Sequence, residues 1–394
     1  MEGEDSSRRG IGDLFDERLR VGPLKEGTFR SPLHDERIAS ILGIALGVAF
    51  AVCFVTGLIS HIAQNPPSWF TWPSRPAGLY RVTQGVHVAT GIACIPLLLA
   101  KLWTVYPNLF TWPPVRNVAH IVERVSLVPL VAGGVFMLST GFANQMEWYP
   151  FGFFFPVGHF WGAWITMGAL VVHVGAKLTT VRSSLRRGGA PPVETRGLSR
   201  RGFLATVAAA AGAVTLATVG QTFRPFRALS VLAARDPAAG VQGVPVNKTA
   251  AEIKVLDAIL APNWRLRVHG AVDRELELSR DDLRAMPQHE ATLAIACVEG
   301  WSADGDWRGV RVRDILDLAG ASPDATVIVG SHQRRGLYRS SELNPSHARD
   351  PDTMLALELN DEVLHVDHGF PCRLIGPNRP GVFQTKWVNE IEVV

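Results

Sequence analysis

A chain of 394 residues with a net charge of +3 is long enough for two domains and too nearly neutral to call for a polyanionic partner, which excludes nucleic acid. Its four cysteines set no disulfide framework. The mean hydropathy of +0.13 averages two unlike halves: an apolar one up to Arg182, and one after Arg224 that reads as an ordinary soluble domain.

Residues 1–36 are polar, carry Arg8, Arg9, Arg18, Arg20, Lys25 and Arg30, and predict a cytoplasmic tail without a cleavable signal peptide. Four apolar runs follow, at 38–62, 82–105, 122–143 and 157–179. Each reaches the roughly 20 residues that cross about 30 Å of hydrocarbon, so residues 37–185 predict an all-α transmembrane four-helix bundle. A buried core helix is the alternative for one such run; four in succession disfavour it. Trp69, Trp72, Trp103, Trp112, Trp148, Trp161 and Trp164 all lie in this half, most of them near span ends, where amphipathic rings settle at the membrane interface. Lys177, Arg182, Arg186, Arg187, Arg196, Arg200 and Arg201 follow the fourth run, whereas the first loop holds only Arg75 and Arg81. By the positive-inside rule the N-terminus and the basic start of the linker 186–224 belong in the cytoplasm. A fifth, Ala-rich apolar run at 203–220 is preceded by Ser199-Arg200-Arg201-Gly202-Phe203-Leu204, which resembles the twin-arginine export signal. A basic flank obeying the charge rule is the alternative. Export of a folded domain would put residues 225–394 outside the plasma membrane of a bacterium.

Ionisable residues at membrane depth are costly and read as functional. His159 and His173 are 14 residues apart in the fourth run, about 21 Å along a helix and about 40° from alignment, a spacing for two stacked haems. His87 in the second run stands at a depth similar to His159, and the two form a bis-His pair for an outer haem. An inner haem pairs His173 with His34, just before the first run. His61 is a rival at the outer site, and His120 reads as interfacial. An interhelical hydrogen bond is the plain alternative for each. Neutral imidazole is a good iron ligand, and b-type haem needs no covalent cysteine, so Cys53 and Cys94 read as packing residues. Four spans with two histidines so spaced on the last resemble, over residues 30–185, the di-haem b-type cytochrome subunits of membrane hydrogenases and formate dehydrogenases. The resemblance implies haem b, two copies, and a quinone or other membrane electron carrier as partner. His34 departs from it, lying farther from Thr56-Gly57-Leu58 than expected.

From about Pro245 short strands and helices with Gly and Pro punctuation predict an α+β domain. Residues 266–268 and 327–329 read as strands, and 312–319 as a helix with apolar residues at helical spacing. Three segments carry a specific pattern: Ala296-Cys297-Val298-Glu299-Gly300-Trp301-Ser302 followed by Trp307-Arg308-Gly309-Val310; Thr353-Met354-Leu355-Ala356-Leu357-Glu358-Leu359-Asn360-Asp361-Glu362; and His368-Gly369-Phe370-Pro371-Cys372-Arg373-Leu374 followed by Lys386-Trp387-Val388. In this order they resemble the molybdopterin-binding domain of the sulfite oxidase family over residues 245–394. The resemblance implies that a Cys297 thiolate and the pterin dithiolene hold molybdenum, that His368, Arg373 and Lys386 hold the pterin phosphate, and that Asn247 touches the pterin. Coordination requires the thiol deprotonated, and a planar Arg fork and a Lys point charge both suit phosphate. Cys372 reads as structural, and Arg334, Arg335 and Tyr338 as candidates for the substrate mouth. After Cys297 the chain reads Val-Glu-Gly-Trp rather than the Gly-Asn type associated with sulfite oxidation, and it ends at Val394 without a separate dimerisation domain. Both features make it similar to the catalytic subunit of bacterial protein-methionine-sulfoxide reductases, which partners a separate haem membrane subunit. The expectation is a membrane-bound molybdopterin-dependent oxidoreductase that exchanges an oxygen atom with a small oxo-substrate, with S- or N-oxide reduction favoured. The alternatives are sulfite-type oxidation feeding electrons to the membrane and a catalytically silent electron-transfer membrane protein, which the intact Cys297 argues against. A transporter is disfavoured by so few spans and so large an exported domain.

Overall fold

The computed structural model describes residues 29, 31–110, 118–186, 198–220 and 224–394. Most of the tail 1–36, with Arg8, Arg9, Arg18, Arg20, Lys25 and Arg30, lies outside the described residues, as do Trp112, Arg187, Arg196 and the side chain of His120.

Five apolar runs become five long helices: α1 Glu36–Gln64, α2 Leu79–Val105, α3 Val118–Gln145, α4 Phe155–Arg186 and α5 Arg200–Val219. Each contains a window long and apolar enough to cross a membrane, and only 6–22% of any such window is buried. Val48, Val55, Leu99, Val125, Val128, Ile165 and Val171 are exposed. Water would not tolerate helices apolar on every face; hydrocarbon does. Pro96 and Pro129 stand inside α2 and α3, as spanning helices allow where neighbouring groups satisfy the freed carbonyls. The fifth expected segment is continuous helix from the arginine pair onward, and Arg200 pairs with Asp35 at 3.2 Å.

The C-terminal region is α+β. After the short helix α6 Leu256–Leu260 come β1 Leu266–Gly270, β2 Leu276–Leu278, α7 Arg280–Ala285, β3 Gln288–Ala296, β4 Ser302–Arg311, α8 Val312–Ala319 and β5 Val327–Ser331. Then follow β6 Ser340–Leu343, α9 Pro345–Ala348, β7 Met354–Leu359, β8 Glu362–Val363, β9 Arg373–Ile375 and β10 Val388–Val393. Two sheets form, in the orders β2-β1-β10-β5-β6 and β3-β4-β7-β8, with β9 also on β7. Only β1 with β10 is parallel; the other strand pairs are antiparallel. The strands and helix expected at 266–268, 327–329 and 312–319 are β1, β5 and α8. A capping box between Ser279 and Asp282 starts α7. The larger core joins Leu266, Val268, Ile315, Leu316, Val329 and Ile391; a second, holding Trp307, Met354 and Ile375, also contains Cys297. The β4–β7 register shifts between Arg308 and Gly309, where a Cβ on Gly309 would fall 2.0 Å from the Leu355 carbonyl oxygen, so the bulge requires glycine.

The chain divides into two compact units. One takes in the described parts of Met1–Ala51 with Thr90–Gly141 and Phe153–Val214; the other is Val52–Ala89, Phe142–Gly152 and Thr215–Val394. This division differs from boundaries expected at 185 and 224, because segments 52–89 and 142–152 of the helical half group with the α+β domain. The loop before α2 shows why. Trp72 Nε1 donates to Asn378 O at 2.9 Å, Asn378 Oδ1 accepts from Tyr80 N at 2.8 Å, and Arg75 forks onto Asp350 and Asp352.

Candidate active site and cofactor cradle

Strand β3 delivers Cys297 into a tight turn that leads to β4. Cys297 N donates to Trp301 O at 2.9 Å and Gly300 N to Cys297 O at 3.2 Å. Gly300 takes φ +96, and a Cβ there would meet Val88 at 2.8 Å, so this turn needs glycine for both backbone conformation and close approach. Cys297 is 6% exposed. Asn247 Nδ2 lies 3.5 Å from its sulfur and 3.3 Å from Glu299 Oε1. Glu299 Oε2 accepts from Trp301 Nε1 at 2.8 Å and stands 3.8 Å from Arg235, which forks onto Glu147. Burial, and then the Glu299 carboxylate, push the Cys297 thiol far above its ordinary range, and burial raises Glu299 as well. Burial and the same carboxylate push the Tyr149 phenol up to about 12. A thiol so placed gives up its proton when a metal cation supplies the missing charge, so the donor set fits a thiolate-held metal.

His368, Arg373 and Lys386 form a second feature. His368 is fully buried at the end of a 3-10 turn, and its Nε2 lies 2.6 Å from the Val241 carbonyl oxygen. A carbonyl only accepts, so Nε2 carries a proton and the buried Nδ1 has no partner. Arg373, at the start of β9, stacks over Trp307 and donates to His368 O at 3.3 Å, with its buried Nε unpartnered. Lys386 Nζ donates to the carbonyls of Lys248 and Asp367 and lies 4.3 Å over the Trp387 ring. Among the described residues none of the three has a carboxylate ion-pair partner. Burial, then the Arg373 charge, lower His368 to about 4 and Lys386 to about 7, and burial lowers Arg373 to about 9. A buried guanidinium with an unused donor, a half-buried ammonium that it repels and a neutral imidazole held beside both are a poor way to stabilise a fold. They fit a phosphate, which answers all three. The cradle residues named from the sequence thus come together, and Asn247 stands beside the thiol.

Tyr338 packs against Phe383 with ring centroids 5.9 Å apart, whereas Arg334 and Arg335 are exposed. Gln84, Asn144, Glu147, Tyr149 and Arg235 were not expected near Cys297. Gln84 and Asn144 do carry a sequence signal, being amides within or directly after apolar runs. Arg235 carries none, because only the fold brings it to Glu299.

In the helical half, His87 Nδ1 lies 2.9 Å from Cys53 O, and His34 Nδ1 3.2 Å from Thr104 O. Thr140 gives its hydroxyl proton to Phe136 O at 2.7 Å, so at 3.0 Å it accepts from His159 Nδ1. All three rings therefore direct an Nδ1 proton at an oxygen acceptor, a contact that fixes the ring orientation. Gly57 leaves no room for a Cβ beside the His87 ring, which would be 2.9 Å away. His173 lies half-buried on α4, and His34 sits in the turn two residues before α1. His87 belongs to the second compact unit and the other three to the first. Among the described residues no group of three or more His, Cys, Asp or Glu converges.

Residues 251–394 match the family model described as oxidoreductase molybdopterin binding domain. The uncharacterized oxidoreductase YuiH of Bacillus subtilis is 35% identical over 130 residues, covering 33% of this chain and 64% of that protein. The mitochondrial sulfite oxidase of Drosophila melanogaster is 36% identical, covering 32% of this chain and 26% of the relative. The putative protein-methionine-sulfoxide reductase subunit YedZ1 of Azospira oryzae is 34% identical over 142 residues, covering 36% and 52%. The chain thus spans less than two thirds of the length of each of these relatives. Its C-terminal region, residues 251–394, is a molybdopterin-binding oxidoreductase domain.

Proposed function

We propose that this protein is a membrane-bound molybdenum enzyme that removes an oxygen atom from a small S- or N-oxide, with electrons arriving from a quinone through b haems in its helical half. The observation that carries the reading is a buried thiol, Cys297, in the same domain as a basic cluster, buried His368 and Arg373 with half-buried Lys386, that has no carboxylate ion-pair partner among the described residues. Cys297 would hold the metal; His368, Arg373 and Lys386 would hold the pterin phosphate, with Asn247 orienting the thiolate. When bound, the cofactor supplies two-electron redox chemistry and an exchangeable oxygen site. The protein's own residues fix its position, exclude water from the β3–β4 turn and hold a carboxylate–guanidinium pair, Glu299 and Arg235, beside the sulfur. His87, His159, His173 and His34 would ligate haem iron. The likeness to a methionine-sulfoxide reductase subunit favours reduction. The basic residues after α4 favour a cytoplasmic linker and an extracytoplasmic C-terminal domain.

The likeness to sulfite oxidases supports a second reading, oxidation of sulfite with electrons passed into the membrane. Purified protein distinguishes the two. About one molybdenum and two haems per chain, with haem reoxidised by methionine sulfoxide, support reduction; haem reduced by sulfite supports oxidation. A Cys297→Ser variant is expected to lose turnover by about a hundredfold or more, since even residues one step removed from a metal ligand change activity 10–100-fold. Full turnover of that variant would overturn the molybdenum assignment.

A further inference from the structure

Two of the long helices reach the turn that carries Cys297. Gln84, near the start of α2, donates from Nε2 to the Val298 carbonyl oxygen at 2.9 Å. Asn144, next to last in α3, donates from Nδ2 to the same oxygen at 3.2 Å. The Val298 carbonyl only accepts, so the Asn144 Nδ2 end must face it, and this leaves Asn144 Oδ1 to accept the Tyr149 hydroxyl proton at 3.0 Å. Both amides are 6% exposed. All four residues belong to one compact unit.

One peptide oxygen, one residue from the thiol, is thus held by donors from two helices. Stability alone does not account for it. The buried Gln84 Oε1 has no partner, and an unmet buried acceptor costs stability that an apolar side chain of the same size would avoid. Gln84 also lies three residues before His87, on the same face of α2, and His87 is oriented by Cys53 O at 2.9 Å. Val88, the residue after His87, fills the space beside Gly300. One stretch of α2 therefore carries both a candidate haem ligand and two contacts to the cysteine turn.

We infer that Gln84 and Asn144 are positioning residues for electron entry: their shared hold on the Val298 carbonyl fixes the Cys297 turn against α2 and carries electrons between the His87 haem and the metal. The inference rests on the relay proposed above. Each transfer takes one electron from haem iron and gives it to molybdenum. Two transfers, with two protons from solvent, turn a sulfoxide into a sulfide and water.

The test uses full-length protein in detergent, with molybdenum and haem content measured for each sample. Gln84→Met and Asn144→Leu remove the donors without large changes in volume. Protein reduced with dithionite is mixed with methionine sulfoxide, or oxidised protein with sulfite, and the haem band is followed through a single turnover. Turnover driven by reduced viologen, which reaches the metal without haem, is measured alongside, together with the molybdenum EPR signal. The ratio of the haem-linked rate to the viologen-linked rate is expected to fall about tenfold in each variant and further in the double variant, with a shifted EPR signal. Wild-type ratios in metal-replete variants would overturn the inference alone, as would equal loss of both rates. A wild-type protein whose haem responds to neither reagent would overturn the relay itself, and the inference with it.

Discussion

Arg373 is 6% exposed and meets no carboxylate among the described residues; its neighbours are Trp307 and the other cations of the cradle. Without an anion it is a cost to the fold. Arg373→Met is therefore expected to stabilise the cofactor-free domain by about 1–3 kcal/mol while reducing cofactor retention. Denaturant unfolding of cofactor-free protein and pterin content after purification measure the two effects, and loss of stability in the cofactor-free form would refute the cradle. Lys386 sets a pH dependence. Its ordinary 10.5 falls to about 7 in the bare fold, so the unfolded chain binds the proton where the folded chain does not. The cost of burying the ammonium is fully present below about pH 7 and is relieved as pH rises toward 10.5. Cofactor-free protein should gain stability across that range. Phosphate restores the charge, so binding takes up a proton above pH 7 and affinity should fall as pH rises from 7 to 9. Lys386→Gln should flatten both profiles, read by thermal unfolding and by cofactor titration.

Among the secondary-structure elements, the hydrophobic pattern translated directly into helices. The runs expected at 38–62, 82–105, 122–143, 157–179 and 203–220 became α1 to α5, each extended or trimmed at its ends. Hydrocarbon-spanning helices satisfy their own backbone, so local sequence decides them. The strands needed more. Only β1 and β5 were read beforehand, because short, partly buried strands in a mixed sheet lack a clean period of two. The β4–β7 bulge was not legible either, although Gly309 stands in the quoted motif. Gly309→Ala is expected to destabilise the C-terminal domain by about 1–3 kcal/mol through overpacking, measured by denaturant unfolding; a neutral result would mean that the bulge relaxes without it.

For the whole molecule, five crossings from a cytoplasmic N-terminus would bring the C-terminal domain to the outer face. Alkaline phosphatase fused after Val394 should then be active and a fluorescent protein at the same position dark in cells; the reverse pattern would refute the orientation. The sequence by itself determined the five apolar helices and the α+β class of the C-terminal half, and it singled out Cys297, His368, Arg373 and Lys386 as candidates, since periodicity and short motifs are local properties of a chain. The resemblance to sulfite oxidases extended to those residues because their motifs are contiguous. Only the tertiary structure decided that His368 and Arg373 lie buried beside Lys386 without a carboxylate partner among the described residues, that Nδ1 of His34, His87 and His159 each faces an oxygen acceptor, and that Gln84 and Asn144 hold the Val298 carbonyl across separations of 214 and 154 residues. No local pattern encodes such contacts, because each partner's neighbours in sequence are chosen for its own helix or strand, and only packing brings the two together.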